Sequence, residues 1–148
     1  MLRIAEELIA QIHAHGARHY PEEGAGLILG KYEDGRRTAE RLIQIKNSSQ
    51  PDSRHNRYLI EAKDVLAGES EAEKLGLDVI GVFHSHPDHP AQPSDFDLQW
   101  ALPNFSYIIT SIYAGKAESS RSWCLSDDGN FVEEGLSILN DNNLEEIL

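Results

Sequence analysis

Three observations predict an α/β fold, one domain built on a mixed central sheet. Strand-like runs at 27–29, 37–46, 77–86 and 105–113 are interspersed with helical stretches at 2–15 and 62–75. That alternation is the mark of helices packed on a sheet. The chain has 148 residues, the length of one domain, and 40% hydrophobic residues, enough for one core. No repeat, linker or low-complexity segment divides it, so residues 1–148 are expected to fold together.

The elements follow in order. Leu2, Ile4, Ala5, Leu8, Ile9 and Ile12 recur at helical spacing, so 2–15 reads as an amphipathic helix that Gly16 stops. Tyr20-Pro21 is extended or turning, because a residue before proline avoids the helical region. Leu27-Ile28-Leu29 is a short buried strand, with Gly24, Gly26 and Gly30 permitting close backbone approach. Asp34-Gly35 is a hairpin turn, and 37–46 is the return strand. Residues 47–56 (NSSQPDSRHN) form a loop, and 58–61 a short strand. Residues 62–75 form a helix that Gly76 ends. Residues 77–86 (LDVIGVFHSH) are a central strand, and three prolines make 87–93 a loop. Residues 94–101 are a short helix. Residues 105–113 are a strand that turns at Ala114-Gly115. Residues 120–125 and 131–139 complete the sheet around Asp128-Gly129-Asn130.

Charge and cysteine content narrow the function. The formal charge is −12, which repels phosphate backbones, so nucleic acid is not expected as a partner. Seven acidic residues and no Lys or Arg lie between Asp127 and Leu148, leaving −5 for the rest. That end reads as solvated and partly frayed; the alternative is a face for a basic partner. No apolar run approaches the ~20 residues of a membrane span, so no membrane partner is expected. Glu6 and Glu7 sit where a signal peptide needs apolar residues, so the expected location is cytoplasmic. Cys124 is the only cysteine, which excludes an internal disulfide and any multi-cysteine metal site. It falls on a strand and reads as buried and inert.

The chemistry is concentrated in FHSHPDHPAQPSDFD, residues 83–97. On a strand, His84 and His86 at i and i+2 project from one face, where they can grip one zinc. Pro87 then ends the strand. A carboxylate presented just after the loop would complete a three-ligand site, and Asp97 fits, one turn into a helix starting at Ser94. Two neutral imidazoles and one carboxylate leave a Zn²⁺ site at about +1, which favours acidification of water. Such a centre also needs a base, usually a buried Glu. Ser94-x-x-Asp97 reads equally as a helix capping box. His13 and His15 have the same spacing on a helix, where they diverge, and read as surface residues. Asp88, His89 and Asp95 read as loop residues that could touch substrate. Arg54, His55 and Arg57 read as solvated loop that could lean over the cleft. Trp100, Phe105 and Tyr107 read as core.

The spacing H-x-H-x7-S-x2-D, here His84, His86, Ser94 and Asp97, resembles the signature of the JAMM, or MPN-plus, zinc isopeptidases. The segment PEEGAGLILG resembles the family's glutamate-bearing approach to its first strand, and the register selects Glu23 over Glu22. The family's usual cysteine is Ala25 here. The resemblance covers most of the chain and points to the small prokaryotic members that process sulfur-carrier proteins. It implies an MPN domain of cytidine-deaminase-like architecture and one zinc per chain held by His84, His86 and Asp97. It implies Glu23 as the base that deprotonates the zinc-bound water, and Ser94 as the donor to the oxyanion. The implied substrate is a peptide or isopeptide bond at the C-terminal glycines of a ubiquitin-like or sulfur-carrier protein. The competing reading is a non-catalytic MPN scaffold, and a homodimer through the N-terminal helix is a further possibility. A zinc deaminase would need a P-C-x-x-C segment that one cysteine cannot supply.

Overall fold

The first residues obey strand alternation and not helical spacing. Leu2 and Ile4 are fully buried in β1 (Leu2–Ala5), and helix α1 starts only at Glu6 and runs to His19. The computed structural model describes residues 1–140 and 145–147. Gly16 lies inside α1 and does not end it. A Cβ there would stand 3.0 Å from both Ser85 Cβ and Ile112 Cδ1, so this glycine is the point where helix meets sheet. His15 corrects the surface expectation: it lies one turn beyond Ile12 on the same face and is buried with Ile9 and Ile12. His13 is half-buried and bonded to Ser120 Oγ at 2.9 Å. Glu6 and Glu7 in the first turn, and Arg18 and His19 in the last, suit the helix dipole.

The remaining strands are β2 (Ala25–Glu33), β3 (Arg36–Ile45), β4 (Asp78–Pro87), β5 (Ser106–Tyr113), β6 (Lys116–Leu125), β7 (Phe131–Glu134), β8 (Leu136–Leu139) and β9 (Glu145–Ile147). Among the described residues they form one sheet in the order β7-β6-β5-β4-β2-β3-β1-β8-β9. The β4–β5, β1–β3 and β1–β8 pairs are parallel and the others antiparallel, as a mixed sheet requires. Gly135 alone separates β7 from β8, yet these strands lie near opposite ends of the order. Consecutive Cα atoms are about 3.8 Å apart, so the sheet curls until its ends nearly meet. Helix α1 packs on β1, β3, β4, β5, β6 and β8, against a core that includes Ile28, Phe83 and Ile108. Helix α2 (Ala62–Leu75) packs on β2 and β4, and a second core there includes Leu27, Tyr58, Val82 and Tyr107.

Several expectations for the periphery change. The 58–61 stretch makes no strand ladder; the Leu59 carbonyl accepts from Ser48 N at 3.0 Å. The 131–139 stretch splits into two strands at Gly135, and residues 131–139 are paired, not frayed. Glu134 accepts from Ser106 Oγ at 2.6 Å and Ser122 Oγ at 3.1 Å, and lies 3.7 Å from Arg37. Asp141 of the acidic end lies outside the described residues. Cys124 is half-buried, because β6 is covered on one side only by short β7. Trp100 is 58% exposed and not core, since it follows the short helix α3 (Asp95–Gln99) on the surface. Tyr107 is buried and Phe105 half-buried. No helix among the described residues is long and apolar enough to cross a membrane.

Candidate metal centre

Strand β4 projects Val82, His84 and His86 toward the α2 side and Phe83 and Ser85 toward α1. The two imidazoles therefore share a face, and their Nε2 atoms lie 3.1 Å apart. Tyr58 stacks on His84 with ring centroids 4.3 Å apart, fixing one ring plane. Pro90 fixes the other: its carbonyl accepts from His86 Nδ1 at 2.9 Å. A carbonyl only accepts, so Nδ1 carries the proton and a neutral His86 presents an Nε2 lone pair to the cluster.

Ser94 is the N-cap of α3. Its Oγ accepts from Asp97 N at 3.1 Å, and its own N–H donates to Asp97 Oδ2 at 2.9 Å. The capping box and the metal-ligand reading coincide. The same Oδ2 lies 3.2 Å from His84 Nε2 and 3.1 Å from His86 Nε2. Burial alone would raise the Asp97 pKa. The charges and hydrogen bonds of His84 and His86 outweigh it and hold the carboxyl well below the usual range. Burial pushes the His84 pKa down, with Asp97 opposing.

Glu23 enters from the segment leading into β2. It is 4% exposed, whereas Glu22 is half-buried. Its N–H donates to the Arg54 carbonyl at 2.6 Å, and its carbonyl accepts from Asn47 Nδ2 at 2.9 Å. The side chain is different: Oε1 is buried without a hydrogen-bond partner among the described residues. Burial first, and the Asp97 charge second, push its pKa up to about 9. Ligand atoms of Glu23, His84, His86 and Asp97 all lie within 4.8 Å of one another.

This donor set fits zinc. Tetrahedral zinc with bonds of about 2.0–2.1 Å spaces its donors about 3.3 Å apart. The three atoms here are spaced 3.1–3.2 Å. Lone pairs held that close repel unless a cation or proton lies among them.

Sequence reasoning missed three supporting residues. Asn47 is buried and bonds four backbone groups: the Glu23 and Arg57 carbonyls through Nδ2, and the Ser49 and Leu59 N–H groups through Oδ1. Ser85 Oγ accepts from Gly24 N at 2.8 Å, tying the Glu23 segment to β4. Tyr58 is the third. Their signal was faint: Asn47 opens a polar loop, Ser85 sits between histidines, and Tyr58 follows a charged run. Asp88 does not reach the cluster; it accepts from Tyr20 Oη at 2.6 Å and Ala114 N at 2.9 Å, pinning two turns. Arg54 holds its own loop through Ser49 O at 2.9 Å. Arg57, His89 and Asp95 line a cleft of about 440 Å³ with Glu23, His86 and Ser94. A larger hollow of about 780 Å³, walled by His13, Arg121 and Glu133, lies elsewhere and contains none of the four cluster residues.

A curled mixed sheet whose central strand presents two histidines to a carboxylate on the next helix defines the class. The chain belongs to the prokaryotic JAB family: the model described as prokaryotic homologs of the JAB domain matches residues 5–126. A probable TtuB-protein conjugate cleaving protease of Thermus thermophilus is 33% identical over 109 residues, covering 74% of this chain and 69% of that protein. A CysO-cysteine peptidase of Mycobacterium tuberculosis is 25% identical over 140 residues, covering 94% and 92%. The solution structure of a Desulfitobacterium hafniense protein superposes with a TM-score of 0.83 at 26% identity, covering 95% and 94%.

Proposed function

We propose that the protein is a zinc-dependent peptidase that hydrolyses the amide bond following the C-terminal glycines of a ubiquitin-like or sulfur-carrier protein. The observation that carries this is the buried Glu23 carboxyl beside a three-donor cluster, its Oε1 without a hydrogen-bond partner among the described residues. That oxygen has no structural bond to keep and is placed to move a proton. The names of the relatives, one for TtuB-protein conjugates and one for CysO-cysteine, support a carrier-protein amide as the substrate class.

His84, His86 and Asp97 would hold the metal. Bound there, zinc would polarise the scissile carbonyl and acidify water, the chemistry of an open three-ligand site. Glu23 takes the proton of the attacking water and passes it to the leaving amine. Ser94 Oγ already accepts from Asp97 N, which leaves its hydroxyl proton to donate to the carbonyl oxygen as negative charge develops. Pro90 and Tyr58 keep the two imidazoles in place.

Intact-mass analysis of zinc-loaded protein with carriers bearing short C-terminal extensions tests the reading. Wild type is expected to trim the extension back to the glycines. Glu23→Gln should retain one zinc per chain and lose at least about 10²-fold in rate. Equal cleavage by the variant would remove Glu23 from the mechanism. Intact carriers with zinc bound would overturn the proposed reaction.

A further inference from the structure

We propose that Arg57 binds the free α-carboxylate of the leaving group, so that the enzyme favours release of a single C-terminal amino acid over cleavage of a lysine side-chain conjugate. This rests on the function proposed above and specifies its leaving group.

Arg57 lines the same cleft as Glu23, His86 and Ser94. Both of its ends are fixed. Asn47 Nδ2 donates to its carbonyl at 2.8 Å, and the same nitrogen holds the Glu23 carbonyl. Its guanidinium lies 5.0 Å over the ring of Phe96, which stands one residue before Asp97. One amide thus positions the cation and the proposed base together. Stacking uses one face of the guanidinium and leaves its edge donors open, the geometry that takes a carboxylate bidentately. The head is exposed, and among the described residues no carboxylate pairs with it.

The substrate chemistry says what completes the pair. A diglycine tail brings neither side chain nor charge. A one-residue extension brings one charge to the cleft, its terminal carboxylate, within a few bonds of the scissile nitrogen. A lysine side-chain conjugate brings none at that distance, because its main chain continues in both directions. The neighbouring groove of about 130 Å³, which shares Phe96 with this cleft and is walled by Tyr58, Val82, Trp100 and Phe105, has no cation among its lining residues. Hydrolysis balances simply: water gives its hydroxyl to the glycine carbonyl and its proton to the departing α-amine, and the amino acid leaves with its carboxylate on Arg57.

The test uses two carriers that differ only in whether a one-residue extension ends as an acid or an amide. Binding is measured by calorimetry on zinc-loaded Glu23→Gln protein, which holds the substrate uncut, and kcat/KM on zinc-loaded wild type. The acid should bind and react at least about tenfold better than the amide. Arg57→Gln should bring both ratios close to one, and Arg57→Lys should restore only part of the preference. Cleavage with no preference for the acid overturns this assignment and leaves the peptidase reading intact. Equal weakening of acid and amide by Arg57→Gln also overturns it, and places Arg57 against the body of the carrier. Failure to cleave either carrier removes the peptidase reading and this inference with it.

Discussion

Burial of Glu23 has a consequence for the alkaline stability of the metal-free protein. In the folded chain its pKa is about 9, and the unfolded chain gives up that proton near 4.5. The folded state binds more protons between those limits, so stability falls as pH rises. His15 works in the opposite sense. Burial, with help from His19 and Arg18, lowers its pKa from 6.5 to about 4, so stability falls as pH drops through that range. The two effects oppose each other below 6.5, and of the two only that of Glu23 extends from 6.5 to 9. Chelator-treated wild type should lose up to about 1.4 kcal/mol per pH unit there, read from urea midpoints. Glu23→Gln should flatten that limb, and a wild-type limb already as flat would contradict the burial argument. Legibility also differs residue by residue. The register of its small neighbours points to Glu23 over Glu22, and Glu23 is the one buried beside His84, His86 and Asp97. Asn47 could not be found, because a four-bond staple and an ordinary loop asparagine have the same sequence.

The elements show why glycines in one chain have different consequences. At Gly81 on β4 a Cβ would collide with the Ser106 carbonyl oxygen of β5, a backbone atom held by the parallel ladder. At Gly68 in α2 the collision is with Leu27 Cδ1, the free end of a side chain. Gly81→Ala should therefore cost about 3 kcal/mol, near the top of the overpacking range. Gly68→Ala should be close to neutral, because about 1 kcal/mol of helix propensity offsets the movement of Leu27. Equal losses in denaturant midpoints would refute the distinction between rigid and flexible neighbours. Sequence periodicity located β4, β5 and α2 well, since each is long and has one dominant period. It misplaced β1, because Leu2 and Ile4 satisfy both periods and only their burial between β3 and β8 decides. It read Gly16 as a stop because a packing glycine and a terminating glycine are the same letter.

At the scale of the whole molecule, the curl of the sheet was invisible in the sequence. It depends on pairing Leu2–Ala5 with Leu136–Leu139 across nearly the entire chain. That closure determines how the protein should respond to loss of metal. The cluster joins only the segment before β2, the end of β4 and the start of α3. Both hydrophobic cores, the β1–β8 seam and the Glu134 bonds across β5, β6 and β7 lie outside it. Folding is therefore expected not to require a metal, in contrast to small domains that have no core without it. Chelated protein should keep its far-ultraviolet circular dichroism and melt cooperatively. Free zinc at about 1,000 times its dissociation constant should add about 4 kcal/mol. For a domain of this size that raises the Tm by about 8–16 °C. His86→Ala should melt cooperatively and lose the zinc-dependent rise. Unfolding of wild type by chelator alone would mean that the curled sheet is not self-sufficient and that the cluster is a folding determinant.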